Sequence, residues 1–330
     1  MNTRVNAAQG LARSHRPREV VANRPIEVYA LLAFLALLVL VAALLSPAFL
    51  SLANVRDILT QAAPLGFVVL GQALVIMVRG LDLSVASVMA TVAVLATAFN
   101  AGSNAMIPVI FAASMALAAA VGLVNGLLVA KRGVSPFLAT LAMMIVLQGL
   151  RFAYTQGAPA GTLPPGMRWL GTGTILGVPA NIVALAVVAT ALALLLHRSA
   201  LGRRITMVGG NPRAADLVGV RSDRITILAY VIGSMMAGLA GLFLVGYVGT
   251  VDNWVGQGYE LDSIVAAIIG GVALTGGTGT VPGALLGALV LVVIFNIVVI
   301  LGLPIEVQLI IKGLVIVLAA AIHMRRVGKV

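Results

Sequence analysis

The sequence predicts an all-α, polytopic membrane protein with about ten transmembrane helices, and three observations support that fold class. Of its 330 residues, 61% are hydrophobic and only 9% are charged, whereas a soluble domain carries about 25% charged residues. The apolar residues form runs long enough to cross a bilayer as a helix, which takes roughly 20 residues. Lysine and arginine are concentrated on alternate loops between these runs, as the positive-inside rule expects.

The chain begins with a polar, arginine-rich stretch, residues 1–25, which is interpreted as a cytoplasmic basic tail. The apolar run Val28–Leu45 follows it. This run is longer than the apolar region of a signal peptide and lacks a small-x-small cleavage site, so it is predicted to be an uncleaved first span. Residues 26–330 are predicted to form a single transmembrane domain.

Apolar runs of membrane-spanning length recur along the whole of this domain, separated by short polar or Gly/Pro-containing loops. The predicted spans lie near residues 27–45, 55–78, 82–100, 106–130, 134–155, 180–197, 224–249, 260–275, 281–301 and 305–323.

The basic residues give these spans an orientation. Arg79, the pair Lys131-Arg132, the pair Arg203-Arg204 and the C-terminal cluster fall on one side, and the loops on the other side contain almost no Lys or Arg. Both termini are therefore predicted to be cytoplasmic. The net charge of +11 follows from this pattern and does not indicate nucleic-acid binding. The longest outer loop, 156–179, is either a turn-rich connector or an outer docking surface.

Two short matches suggest an internal repeat. Leu81-Asp82-Leu83-Ser84 opens the third predicted span, and Leu261-Asp262-Ser263 opens the eighth. The two motifs are five spans apart and face opposite sides of the membrane. An inverted repeat that relates spans two to five to spans seven to ten would produce this arrangement.

The sequence contains no motif that would support catalysis, a cofactor or a metal. It has no cysteine, its three histidines are far apart, and it lacks the phosphate-binding loop with its lysine, HExxH and GxSxG. Gly276-Gly277-Thr278-Gly279 follows no soluble strand and is interpreted as a tight turn between two spans. No catalytic, cofactor-binding or metal-binding residues are therefore predicted, and the chain is not expected to be an enzyme.

Polar side chains within or beside the spans are the candidates for a translocation pathway. Two interpretations stay open for them: hydrogen bonds between helices, or a hydrated path for a polyhydroxylated substrate. Asp82 could also cap the helix that follows it. Lys312, inside the tenth span, could extend to the interface, pair with Glu306 or face another subunit. The candidate pathway residues are Gln72, Asp82, Ser84, Asn125, Gln148 and Asn296.

A polar, basic segment between the sixth and seventh spans contrasts with these apolar runs. From Arg203 to Gly219 it reads Arg-Arg-Ile-Thr-Met-Val-Gly-Gly-Asn-Pro-Arg-Ala-Ala-Asp-Leu-Val-Gly. Asn211 is predicted to cap a short helix that has Pro212 in its first turn. Gly219 is predicted to stop that helix with a positive φ.

Four stretches of the chain resemble the permease subunit of ribose-type sugar ABC importers, a bacterial binding-protein-dependent family. Within the first of them, Arg79 and Ala86 stand where the family has glycines. The stretches are Leu74–Met89, Asn125–Gly149, Gly202–Gly219 and the run from Gly258 to Gly283, which together cover most of residues 65–320.

The resemblance implies that residues 203–221, called here the coupling segment, dock on a separate ABC ATPase. Arg213-Ala214-Ala215-Asp216-Leu217-Val218-Gly219 resembles the family's Glu-Ala-Ala-x-x-x-Gly pattern, with Arg213 in place of the glutamate. The small alanines would permit close docking. The coupling residues so implied are Gly209, Gly210, Asn211, Pro212, Arg213, Ala214, Ala215, Asp216 and Gly219.

The resemblance also implies the assembly and the task. A second permease copy, ABC ATPase subunits inside and a solute-binding protein outside would join this chain in a bacterial inner membrane, with no nucleic acid. The expected substrate is a small sugar such as a pentose, a hexose or a polyol. Permeases for branched-chain amino acids or nucleosides are the near alternative. A self-sufficient secondary transporter or channel is the alternative from another class, and it would leave the coupling segment without a role.

Overall fold

The computed structural model describes residues 24–98, 103–158, 162–304, 306–314 and 317, so the predicted basic tail lies almost entirely outside the described residues. Short 3-10 turns precede the second and fourth α-helices, and one two-stranded hairpin pairs Thr174–Ile175 with Val178–Pro179. Residues 306–314 are also helical. The α-helices are α1 (Arg24–Leu45), α2 (Leu52–Met77), α3 (Val85–Ala98), α4 (Ile107–Arg132), α5 (Pro136–Thr155), α6 (Pro165–Thr172), α7 (Ala180–Arg198), α8 (Ala200–Gly210), α9 (Pro212–Leu217), α10 (Ser222–Val248), α11 (Tyr259–Ile269) and α12 (Val281–Ile300).

The predicted class, a polytopic α-helical membrane protein, is confirmed. In the described part of the chain, seven helical stretches are long and apolar enough to cross a membrane: α1, α2, α4 with its preceding turn, α5, α7, α10 and α12. The third and eighth predicted spans are shorter, since α3 has 14 residues and α11 has 11. The tenth continues past the described residues. The count of ten crossings therefore stays a prediction.

The centre of the molecule is the pair of long helices α2 and α10. The most apolar stretch of α2 is 89% buried, against 6% for α1, so α2 is enclosed by protein whereas α1 lies at the periphery. Phe67 of α2 stacks on Phe243 of α10 with ring centroids 5.2 Å apart. A Cβ on Gly71 would lie 2.7 Å from the carbonyl oxygen of Gly233. Glycine at this crossing therefore permits the close approach typical of membrane helices.

Two irregular segments interrupt the helices at corresponding places. Residues 78–84 separate α2 from α3, and residues 249–258 separate α10 from α11. Each irregular segment leads to a short helix, and a buried aspartate lies near each junction. Asp82 lies within the first irregular segment, and Asp262 lies in the first turn of the helix that follows the second. Irregular backbone at membrane depth is tolerated only where protein or a water-filled cavity surrounds it. The correspondence is consistent with an inverted repeat, which stays a prediction.

The long outer loop, predicted to be either a turn-rich connector or a docking surface, contains more structure than turns. It forms α6 and the hairpin, and α6 packs closely on the end of α10. A Cβ added to Gly171 would overlap the backbone of Gly246 and Tyr247. The absence of a side chain therefore lets the two helices touch backbone to backbone.

Candidate coupling and translocation sites

The coupling segment folds as two consecutive helices, α8 and α9, joined at Asn211. The Asn211 side-chain oxygen accepts a hydrogen bond from Ala214 N at 3.1 Å, and Pro212 occupies the first turn. The predicted cap is therefore confirmed. Gly219 has φ 82°, so the predicted left-handed stop is confirmed as well.

The two faces of α9 have different surroundings. Ala215 is only 2% exposed and packs into the core of its own chain. The interpretation of Ala215 as part of a docking surface is therefore corrected: in a helix of six residues, one face can pack inward while the other stays outside. On the outer side, Leu217 is 88% exposed and Val218 is 66% exposed. Neither residue was predicted, although two adjacent apolar residues in a polar segment indicate a contact surface.

Asp216 acts within the chain. Its Oδ1 accepts from Ser222 N at 2.9 Å, and its Oδ2 accepts from Ser222 Oγ at 2.8 Å. Ser222 is the first residue of α10, so the bond from its backbone nitrogen satisfies a free donor at that helix N-terminus. Both bonds connect the exposed helix α9 to one of the two central helices.

Arg79 connects the coupling segment to the other central helix. It lies just after α2 with φ 65°, a left-handed conformation that is uncommon for residues other than glycine. Its Nε donates to Gly209 O at 2.7 Å, and its Nη2 donates to Gly210 O. These carbonyls end α8, where a cation is favourable. Arg79 therefore binds the end of α8.

A third segment joins the same contact. The nitrogen of Gly277 donates to Met77 O at 2.9 Å, and a Cβ on Gly209 would overlap both Met77 O and the backbone of Gly277. Gly276 and Gly277 both have positive φ, as the predicted tight turn requires. The ends of α2 and α8 and the turn after α11 therefore meet backbone to backbone.

Four of the six pathway candidates form one buried network around residues 78–84. The Oδ1 of Asp82 accepts from Ser84 N at 2.8 Å and from Ser84 Oγ at 2.6 Å, and Asn125 Nδ2 donates to Ser84 Oγ at 3.0 Å. In the orientation that satisfies both of its atoms, the Gln72 amide pairs with the backbone N and O of Asp82, at 3.2 Å each. Asp82 thus caps the turn that precedes α3, which begins one residue after Ser84.

Two residues outside the predicted set support the same segment. Thr140 Oγ1 accepts from Leu83 N at 3.1 Å, and the Tyr230 hydroxyl donates to Leu81 O at 3.2 Å. Bonds from α5 and α10 thus satisfy the irregular backbone, as its burial requires. These contacts favour hydrogen bonding between helices for the four networked residues. A role for them in translocation stays a prediction.

The remaining two pathway candidates lie elsewhere. The Asn296 amide pairs reciprocally with Asn54, at 2.9 and 3.0 Å between nitrogen and oxygen. Gln148 lines a cavity of about 110 Å³ bounded by α3, α5 and residues 249–258. The six candidates therefore do not share a single site.

Arg151, which is not among the predicted residues, lines the same cavity as Gln148. It is 5% exposed, its Nη1 donates to Ser87 O at 3.0 Å, and its Nη2 donates to Asn253 O at 3.1 Å. The signal was an arginine within an apolar run, since ionisable residues inside the membrane are functional candidates by default.

Lys312 pairs with a different acid from the one that the sequence suggested. Its Nζ lies 2.8 Å from Asp262 Oδ2 and 5.2 Å from the centre of the Phe295 ring. Glu306 is exposed, so the suggested pairing of Lys312 with Glu306 is wrong. Helical phase suggested Glu306, which is six residues from Lys312 in sequence. Tertiary packing instead places the carboxylate of Asp262, 50 residues away in sequence, beside the lysine.

No group of three or more His, Cys, Asp or Glu side chains suited to a metal ion occurs within the ranges that the structure describes.

Comparisons with known proteins agree on one family. The family described as "Branched-chain amino acid transport system / permease component" matches residues 54–320. The ribose import permease protein RbsC of Escherichia coli (strain K12) is 39% identical over 299 residues, which cover 88% of this chain and 92% of the relative. RbsC of Bacillus subtilis (strain 168) is 34% identical, covering 88% and 90% respectively.

Relatives with other substrates in their names match over similar lengths. The galactose/methyl galactoside import permease protein MglC of Haemophilus influenzae is 33% identical over 301 residues, covering 86% of this chain and 90% of the relative. No solved structure matches the chain.

Proposed function

The chain belongs to the permease family that contains the ribose import permeases, and from this premise we propose that it is the transmembrane subunit of an ATP-driven sugar importer. The four sequence stretches predicted this family, and the comparisons confirm it. The single observation that carries the mechanism is the exposed helix α9, with hydrogen bonds connecting the coupling segment to α10 and to the end of α2.

In this proposal α9 is the contact for a separate ATPase. The exposed pair Leu217 and Val218 supplies the apolar anchor, and the exposed Arg213 supplies charge beside it. A displacement of α9 would reach α10 through Asp216 and α2 through Arg79. ATP hydrolysis takes place in the partner, and this chain converts the partner's closure into alternating access. Such coupling requires contacts that differ between the two states.

The proposed assembly contains a second permease copy, ATPase subunits on the cytoplasmic side and a solute-binding protein on the other side, in a bacterial inner membrane. The proposed substrate is a small neutral sugar, because relatives named for ribose and galactose import match along most of the chain. The family's own description keeps branched-chain amino acids as the near alternative. A self-sufficient transporter would leave α9 unused, and the Lys312–Asp262 pair is already neutralised within the chain.

The decisive experiment is reconstitution of the purified chain in proteoliposomes with its ATPase and binding protein. We expect uptake of radiolabelled D-ribose or D-galactose only when ATP and both partners are present. Uptake driven by an ion gradient without the ATPase would contradict the proposal. Uptake of leucine in preference to every sugar would replace the proposed substrate class.

The proposed orientation, with both termini cytoplasmic, has a direct test because the chain has no native cysteine. Cysteines introduced singly at the exposed positions Ser103 and Leu176 are expected to react with an impermeant thiol reagent added to intact cells. Cysteine at Arg213, also exposed, is expected to react only after the membrane is opened. The reverse labelling pattern would invert the topology.

The contact between Arg79 and α8 also makes a testable prediction. Arg79→Ala removes both bonds to the last carbonyls of α8, but it leaves α9 and its exposed face intact. We expect the ATPase to co-purify normally, while substrate-stimulated hydrolysis falls about tenfold because a net loss of 1–2 kcal/mol weakens the link. The matched control is Arg56→Ala, an exposed arginine on α2. Equal substrate-stimulated hydrolysis in both variants would show that Arg79 has no role in coupling.

A further inference from the structure

The cavity lined by Gln148 and Arg151 has features of a ligand site. It lies between α3, α5 and the irregular segment 249–258, on the side predicted to face outward. Its polar lining is Ser87, Gln148, Arg151, Asn253, Trp254, Gln257 and Glu260. These residues come from three separate parts of the chain. The fold alone brings them together.

Arg151 lines the cavity, and its hydrogen-bonding capacity is not fully used within the described part of the protein. The side chain is 5% exposed, yet its Nε has no hydrogen-bond acceptor. Among the residues that the structure describes, no carboxylate forms an ion pair with it. Buried arginines are normally paired, because an unpaired buried donor is costly. A ligand in the cavity would supply the missing acceptor.

The two glutamine side chains of the cavity are equally available. Neither Gln148 nor Gln257 uses its amide in a hydrogen bond within the described ranges, and the Gln257 side chain is exposed. Glu260 uses one carboxylate oxygen to accept from Gly258 N at 2.9 Å, which leaves the other oxygen free of that bond. The lining thus offers a cationic donor, an anionic acceptor and two amides that both donate and accept.

Trp254 completes the set. Its indole is 51% exposed, and its ring meets Phe152 edge to face with centroids 5.7 Å apart. Phe152 belongs to α5, so this contact holds the indole beside the cavity. An aromatic face packs against the C–H face of a sugar ring, while hydroxyl groups take the donors and acceptors around it.

We propose that this cavity is a transient binding site for a neutral monosaccharide entering the permease from the outer side. One guanidinium and one carboxylate leave the lining without net charge, which suits a neutral ligand better than an anion. Hydroxyl groups both donate and accept, so a sugar can satisfy Arg151 Nε and Glu260 at once. This inference rests on the proposed function and specifies where its substrate first contacts the membrane subunit.

The test uses Trp254 as the reporter. The chain has two tryptophans, so the full-length Trp169→Phe variant emits from Trp254 alone. In lipid nanodiscs, titration with D-ribose and D-galactose is expected to produce a saturable change in emission for at least one sugar. L-leucine is the competing probe. When Gln257→Ala is added to this variant, the affinity for that sugar is expected to fall about tenfold, the effect of losing one or two hydrogen bonds.

The matched control is Gln61→Ala. Gln61 is an exposed glutamine on α2 that does not line the cavity, so the affinity of this variant for the sugar is expected to be unchanged. Equal affinity in the Gln257 variant, or a response to leucine alone, would overturn the assignment. The assignment would also be overturned if Trp254 gave no response to a sugar that the reconstituted importer transports. In that case the proposed function would still stand. If the importer transports no sugar, the proposed function fails, and this inference fails with it.

Discussion

Replacing Leu217 and Val218 together with aspartate is expected to abolish assembly with the ATPase while the permease still inserts in the membrane. Both side chains are exposed at the end of α9, 88% and 66% respectively, so neither contributes to the core of the chain. Burial of each at an interface would contribute about 1.5–2 kcal/mol, and two carboxylates would be desolvated there instead. A combined loss of about 4 kcal/mol or more corresponds to at least a thousandfold weaker association.

The measurement is co-purification of the ATPase, followed by substrate-stimulated hydrolysis in the reconstituted complex. The matched control is Leu176→Asp, which places a carboxylate at a fully exposed leucine (100%) on the predicted outer side. Assembly is expected to survive that change. If the double aspartate variant still recruits the ATPase and hydrolyses ATP normally, α9 is not the docking element.

Removing one member of the Lys312–Asp262 pair is expected to destabilise the permease more than any surface substitution. Lys312→Met leaves the Asp262 carboxylate, whose side chain is 9% exposed, without its partner at 2.8 Å. An unpaired charge in a buried site destabilises a fold by about 3–5 kcal/mol. The variant should therefore unfold at a clearly lower temperature in detergent, measured by fluorescence-detected size exclusion after heating.

A second substitution separates the charge from the packing. In the Asp262→Asn/Lys312→Met double variant neither charge remains, so much of the lost thermal stability should return. Asp262→Asn alone is expected to be less damaging than Lys312→Met, because the longer lysine side chain can extend toward water. A double variant that is as unstable as the sum of both single variants would show that the pair contributes nothing as a pair.

The local features of this protein were predictable because local chemistry determines them. Residues that avoid water over about 20 positions must span the bilayer as helices, so the class followed from composition and run length. The Asn211 cap, the first-turn Pro212 and the positive φ of Gly219 depend only on neighbours within a few residues. The family was predictable because each of the four stretches is recognisable from its own neighbouring residues, and their order can be read along the chain.

Only the tertiary structure decided which residues distant in sequence contact one another. Lys312 pairs with Asp262 rather than Glu306, and Arg79 binds carbonyls 130 and 131 residues away. Ala215 faces inward, whereas Leu217 and Val218 face outward. Hydropathy cannot assign such partners, because in lipid an apolar side chain has no preference between a neighbour helix and the acyl chains. Packing of small residues and pairing of buried polar groups decide which helices meet, and both require the whole fold.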